Sequence, residues 1–171
     1  PNLKKLEIGN IRIPWTCFSH LTNLTELLCK NLYRNHRDIE IETFKGLVNL
    51  KTLHLSDCEI KELPANIFVN QKQLETLYLN SNWLSDLNCE AFNGLDNLRV
   101  LNLKRNQLSK FDLEKLNEIL VKLKQLEKIH LFYNNNDNNL KSISNKLAEL
   151  KIKSDFKLNE EITSLLKKTA K

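Results

Sequence analysis

The stretch LETLYLNSNWLSDL, residues 74–87, sets leucines at Leu74, Leu77, Leu79 and Leu84 and an asparagine at Asn82. Leu77 and Leu79 stand two apart, so an extended strand throws both to one side and Tyr78 to the other. A segment with a single apolar edge cannot bury that edge alone. It becomes stable only when neighbours of the same kind stack on it. The first question is therefore whether the stretch repeats.

It does. Aligned on the opening leucine, the chain reads LKKLEIGNIRI from Leu3, LTELLCKNLYR from Leu24, LKTLHLSDCEI from Leu50, LETLYLNSNWL from Leu74, LRVLNLKRNQL from Leu98 and LEKIHLFYNNN from Leu126. The shared pattern is LxxLxLxxNxL, with starts 21, 26, 24, 24 and 28 residues apart. A series of this length at this period marks a stacked array. The second halves align too. IKELPANIFVNQKQL (60–74), LSDLNCEAFNGLDNL (84–98), IPWTCFSHLTNL (13–24) and IEIETFKGLVNL (39–50) set Phe18, Phe44, Phe68 and Phe92 at one position, an expected internal column.

On these residues the chain resembles the leucine-rich repeat family over roughly residues 1–136, in the 24-residue type with an LPxxxFxxLxxL return segment. That type is common in extracellular receptors and matrix proteins. The resemblance implies an α/β solenoid, a horseshoe with a parallel sheet on its concave face and return segments on the far side. Residues 137–171 are expected to form a basic helical C-terminal cap or tail.

The asparagine position checks the frame. An inward Asn at the end of each strand can bond backbone groups of adjacent turns that would otherwise be buried unsatisfied. Asn82, Asn106 and Asn134 hold it, and Ile11, Leu32 and Cys58 replace it toward the N-terminus. The ladder should be poorer at Cys58, because a thiol is a weak donor. Beyond Leu108 the short return gives way to SKFDLEKLNEILVKLKQL (109–126), with Leu113, Leu116, Leu120 and Leu123 on one helical face and Ser109 and Asp112 resembling a capping box. This predicts a helix on the convex side. Later, Leu140, Ile143, Leu147 and Leu150 follow a 3–4 spacing, and NEEITSLLKK reads as a helix capped by Asn159. These helices would close the end of the core, the alternative being a short coiled coil that carries a partner.

Four cysteines in a short chain invite a disulfide reading, which the frame opposes. Cys29 takes an inward strand place and Cys58 the asparagine place of the next repeat, some three residues further on, roughly 10 Å along the strand and too far to bridge. Cys17 and Cys89 stand three repeats apart. Four unpaired thiols, mostly small core residues, are expected. Extracellular relatives usually carry cysteine-rich caps, and none is visible. The return type thus points outside the cell and the cysteines toward a reducing compartment. An extracellular or cell-surface location is the reading, with a cytoplasmic one as the alternative.

No catalytic constellation is present: no Gly-rich phosphate loop, CxxC, HExxH or GxSxG. His54 and His130 share one outward strand position three repeats apart, roughly 15 Å by strand spacing, too far to hold one metal. No enzyme activity, cofactor or metal is expected. Of the net charge of +5, four charges come from residues 141–171, where eight lysines face four acids. Such a tail can attract phosphates, but lysine on an exposed helix serves solubility, and a nucleic-acid partner is not expected. No apolar run approaches the roughly 20 residues of a membrane span. The chain contains no methionine and opens inside a patterned segment, as a processed form or a piece of a longer protein would.

Function should sit on residues that point outward from the concave sheet. The position between the two strand leucines reads Glu7, Leu28, His54, Tyr78, Asn102, His130; two further on come Gly9, Lys30, Ser56, Asn80, Lys104, Phe132, and then Asn10, Asn31, Asp57, Ser81, Arg105, Tyr133. Tyrosine, phenylalanine and arginine are enriched at binding surfaces, whereas scattered single aromatics mean little. The expected partner-binding set is His54, Tyr78, Asn102, Lys104, Arg105, His130, Phe132 and Tyr133. The partner is expected to be a protein, with a glycan as the other ligand class; the oligomeric state is not legible. Trp83 should lie on the flank, packed on a neighbouring repeat, and Trp15 on the convex return as a structural residue. The function expected is protein recognition, as in Toll-like receptors, Slit-type proteins and the circulating leucine-rich immune proteins of invertebrates. The alternatives are an intracellular adaptor, or the substrate-binding arm of an enzyme whose catalytic domain lies elsewhere.

Overall fold

The computed structural model describes residues 2–32, 39–108, 113–131 and 134. Six strands, β1 (Lys5–Gly9), β2 (Glu26–Lys30), β3 (Thr52–Ser56), β4 (Thr76–Tyr78), β5 (Val100–Asn102) and β6 (Lys128–His130), form one parallel sheet in sequence order. Equivalent repeat positions pair without slippage, as in Leu27↔Leu53, Leu53↔Leu77, Leu77↔Leu101 and Leu101↔Ile129. The predicted open solenoid is thus observed, with the sheet on its concave face and the returns opposite.

The core is a set of columns, one residue per repeat. Leu24, Leu50, Leu74 and Leu98 are fully buried, as are Leu53, Leu77 and Leu101. In the first repeat Leu3 and Ile11 stand 42% and 41% exposed, because β1 has a neighbour on one side only. Phe18, Phe44, Phe68 and Phe92 form the expected column; the rings of Phe44 and Phe68 stack at 5.7 Å, and Trp15 packs on Phe18 and Phe44 at 6.3 and 6.4 Å. Trp15 is structural, as expected. The returns run so close together that a side chain at Gly46 would strike the Ser19 carbonyl, and one at Gly94, held at φ 86°, the Val69 carbonyl.

The asparagine ladder joins each strand end to the repeat before it. Asn82 Oδ1 accepts the N–H groups of Cys58 and Ile60 at 3.0 and 3.1 Å, while its Nδ2 donates to the carbonyls of Leu55 and Leu79 at 2.7 and 3.0 Å. Asn106 and Asn134 repeat the arrangement. Cys58 imitates only the donor half, its thiol facing the carbonyls of Ser56 at 3.3 Å and Cys29 at 3.7 Å. The poorer ladder expected there is observed. As expected, Cys29 and Cys58 are unbridged, although the Cys58 thiol comes closer to Cys29 than a count along the strands suggests, meeting its carbonyl. The expected thiol core also narrows to two: Cys29 and Cys58 are buried, Cys89 is half-buried and Cys17 is exposed.

The predicted convex helix is α1 (Leu113–Lys122), packed on the tight turn Cys89–Phe92 of the preceding return. Its buried side includes Leu116, Ile119 and the following Leu123, with Leu120 partly covered. Ile119 joins the leucines on this face, a place that the leucine spacing alone did not assign to it. Lys122 Nζ bonds Asn93 Oδ1 at 2.7 Å, and Asn93 Nδ2 bonds Asn66 Oδ1 at 2.8 Å, a polar chain over three successive returns. The capping residues Ser109 and Asp112, and the cap helices of 137–171, lie outside the described residues.

One buried group goes unsatisfied. Gln71 stands in the column of Leu21, Leu47 and Leu95; its Nε2 donates to the Phe44 carbonyl at 2.6 Å, but its buried Oε1 meets no donor. The Phe44 carbonyl also accepts the Leu47 N–H at 2.9 Å, so leucine at 71 would strand nothing. Gln71→Leu should therefore stabilise the chain by about 1 kcal/mol. Asn82→Ala, which removes bonds to four buried backbone groups, should cost on the order of 3 kcal/mol. Urea denaturation of the two variants checks both signs.

Candidate functional site

Alternation along the strands turns one row of side chains out of the centre of the sheet. Register carries it from Glu7 through Leu28, His54, Tyr78 and Asn102 to His130. All but the exposed Glu7 are half-buried, held upright by their neighbours on either side. At its middle the His54 and Tyr78 rings stack, centroids 4.0 Å apart and planes 24° from parallel. The two rings pack face to face across one strand spacing, so each covers a face of the other. A polar strip borders the pair: Ser56 Oγ donates to Asn80 Oδ1 at 3.0 Å, and Asn102 Oδ1 accepts the Lys104 N–H at 3.1 Å.

Next comes a row of turn residues, Asn10, Asn31, Asp57, Ser81 and Arg105, all in the left-handed region with φ between 53° and 56°. Their shared conformation lets the chain leave each strand at the same angle. At the N-terminal end of the sheet the outward charges pair off, Lys5 with Glu26 at 3.1 Å and Lys30 with Glu7 at 3.9 Å. Along the strand entries, Lys51 faces Glu75 at 3.6 Å and Arg99 faces Glu127 at 2.8 Å.

With that geometry in view, comparison with known proteins is informative. A family model described as leucine rich repeat matches residues 33–84 and 72–135, more than half of the chain. The chain belongs to the leucine-rich repeat family. No curated protein matches it. Among solved structures 134 chains match, including Toll-like receptor 13 in its crystal structure with the single-stranded RNA ssRNA13. That chain is 29% identical, superposes with a TM-score of 0.59 and is matched over 75% of the present chain. The match spans only 17% of that receptor's own length.

In this leucine-rich repeat array, six of the eight expected contact residues fall on one continuous surface: His54, Tyr78, Asn102 and His130 in the central row, and Lys104 and Arg105 beside it. Phe132 and Tyr133 lie outside the described residues. The set omitted Leu28, Ser56 and Asn80, which neighbour the His54–Tyr78 pair, and the outward row Lys5, Glu26, Thr52, Thr76, Val100, Lys128. The signal for that row was present in the same alternation, one place before the inward residue of each strand. Trp83 does sit on the flank, but 43% exposed, with the Lys61 ammonium 5.9 Å above its ring. It is less packed than expected; its N–H to the Ile60 carbonyl at 2.8 Å and the Lys61 ammonium over its ring tie it to the neighbouring repeat.

Among the described residues no three His, Cys, Asp or Glu side chains converge as a metal site would need, and no helix is long and apolar enough to cross a membrane. Burial pushes the thiols of Cys29 and Cys58 up, the latter to about 11, which keeps both protonated and poorly reactive. Burial, with Lys30 nearby, holds His54 below the ordinary imidazole range, against the opposing pull of Glu26 and Glu7.

His54 is therefore neutral at pH 7. As pH falls through the ordinary value of about 6.5, the unfolded chain takes up the proton first and stability declines until the folded imidazole titrates in turn. Tyr78→Ala should expose His54 and move its midpoint up toward the ordinary value. Titration of the imidazole by NMR in both proteins reads the shift; an unchanged midpoint would remove Tyr78 as a source of the burial.

Proposed function

We propose that this chain is a non-catalytic recognition module that binds a protein partner on its concave sheet, through His54, Tyr78, Asn102, Lys104, Arg105 and His130. The observation that carries the reading is the His54–Tyr78 stack. Nothing in the core needs it: the inward columns close without either ring, and Asn102, in the same row on the next strand, shows that a small polar residue serves the sheet equally well. A half-buried aromatic pair bordered by hydrogen-bonding side chains is the kind of surface on which binding energy concentrates. The return type and the likeness to a Toll-like receptor favour a secreted or cell-surface protein with an immune-type role. The RNA bound by that receptor is a second ligand class to be tested against the protein reading.

Immobilised chain should capture a partner from the extracellular fluid of its source organism. The double variant His54→Ala with Tyr78→Ala, shown by thermal melting to remain folded, should lose at least about tenfold in affinity for it. A partner held equally by the variant would move recognition off the concave face. Capture from cytosolic lysate alone would move it inside the cell.

A further inference from the structure

The tripeptide Asn23-Leu24-Thr25 lies away from the concave site. It is the single place in the chain where asparagine is followed, two residues on, by serine or threonine. That spacing, with any residue but proline between, is the acceptor pattern for an N-linked glycan on a surface loop. Asn23 stands in the turn that leads into β2, three residues before Glu26; it is half-buried, and Thr22 beside it is exposed.

The row to which Asn23 belongs has a structural task, and a glycan is compatible with it. Its later members are Asn49, Gln73, Asn97 and Gln125. Asn49 Nδ2 donates to the Thr22 carbonyl at 3.0 Å, and Asn97 Nδ2 to the Lys72 carbonyl at 2.8 Å. Each of these bonds uses one of the two amide hydrogens. Asn23 is engaged in the folded chain as well. A glycan replaces one amide hydrogen only, so an asparagine in this row can carry a sugar and still donate a hydrogen bond. Thr25 departs from its own row, whose other members Lys4, Lys51, Glu75, Arg99 and Glu127 are all charged. That row forms ion pairs between repeats, Lys51 with Glu75 and Arg99 with Glu127. An acid at 25 would face lysine on either side. Threonine stands there instead, its hydroxyl donating to the Lys4 carbonyl at 3.0 Å, and completes the acceptor pattern.

The rest of the molecule leaves the place open. The proposed contact residues begin with His54 on β3, so a sugar at the entry to β2 does not cover them. Nor do the unpaired thiols stand in the way of export. Cys29 and Cys58 are buried, and desolvation raises all four thiols above their ordinary range, which keeps them protonated and slow to oxidise.

We propose that Asn23 carries an N-linked glycan, attached as the chain enters the secretory pathway. The co-reactant is an oligosaccharide joined to a lipid through pyrophosphate. Asn23 Nδ2 attacks the anomeric carbon, a C–N bond forms as the C–O bond to the pyrophosphate breaks, the lipid pyrophosphate leaves with the electron pair, and Nδ2 gives up one proton. The inference rests on the extracellular part of the reading above and adds a modified site outside the concave face.

Two preparations test it: the chain secreted from insect cells behind a signal sequence, and the native protein immunoprecipitated from its source organism. Peptide mass spectrometry before and after peptide N-glycosidase F reads occupancy, since the enzyme removes the glycan and leaves aspartate at position 23. Both preparations should be glycosylated at Asn23. In insect cells Asn23→Gln and Thr25→Ala should abolish the modification and Thr25→Ser should retain it. Occupancy is read on denatured chain from whole cells too, so a variant that fails to fold still reports. An unmodified Asn23 in the insect-cell protein would overturn the acceptor site and leave the concave-face reading standing. A glycan there but none on the native protein would overturn the proposal together with the extracellular location.

Discussion

Everything in this molecule depends on satisfying the backbone where each strand ends. A stacked array must turn its chain into the core at every repeat, and a turning chain carries N–H and C=O groups that no strand can pair. Asn82, Asn106 and Asn134 meet that demand, each reaching back to the strand end and first return residues of the preceding repeat. Because each amide bonds its own turn and the preceding one together, it sets the stacking distance as well as the turn. The leucine columns supply the drive to bury surface, but they are non-directional. The ladder converts that drive into a register.

Register in turn makes the surface. Once equivalent residues pair strand to strand, any residue type recurring at one outward position becomes a continuous row. The row through His54 and Tyr78 exists only because residues 24 apart in sequence are one strand spacing apart in space. The same constraint distributes the charges. Lysine and glutamate one repeat apart neutralise each other at the N-terminal end. The flank follows another logic: Trp83 is tied through its backbone while its ring stays in solvent beneath Lys61.

Departures from the repeat show what the array tolerates. Cys58 performs half of an asparagine's task, and Gln71 leaves one buried oxygen unbonded in a leucine column. Neither breaks the stack, since each repeat is held by both neighbours. Gly46 and Gly94 leave no such room, because the preceding return lies within the space of a single methyl group.

The sequence by itself determined the fold, the repeat boundaries, the phenylalanine column and which side chains turn outward. Those follow from period-two alternation within strands and a fixed period between them, both of which are local or simply repetitive. Tertiary structure alone decided what touches across repeats at the level of atoms. That His54 and Tyr78 stack, and do not merely neighbour one another, depends on side-chain rotation. That Cys58 reaches the Cys29 carbonyl depends on the direction of its side chain, which distance counted along the chain cannot convey. That Ile119 is fully buried while Leu120 is only partly covered depends on how α1 rotates against the turn at Cys89–Phe92. Each outcome is set by packing in three dimensions, where a rotation of a few tens of degrees exchanges one contact for another without altering the pattern of residues that encodes the fold.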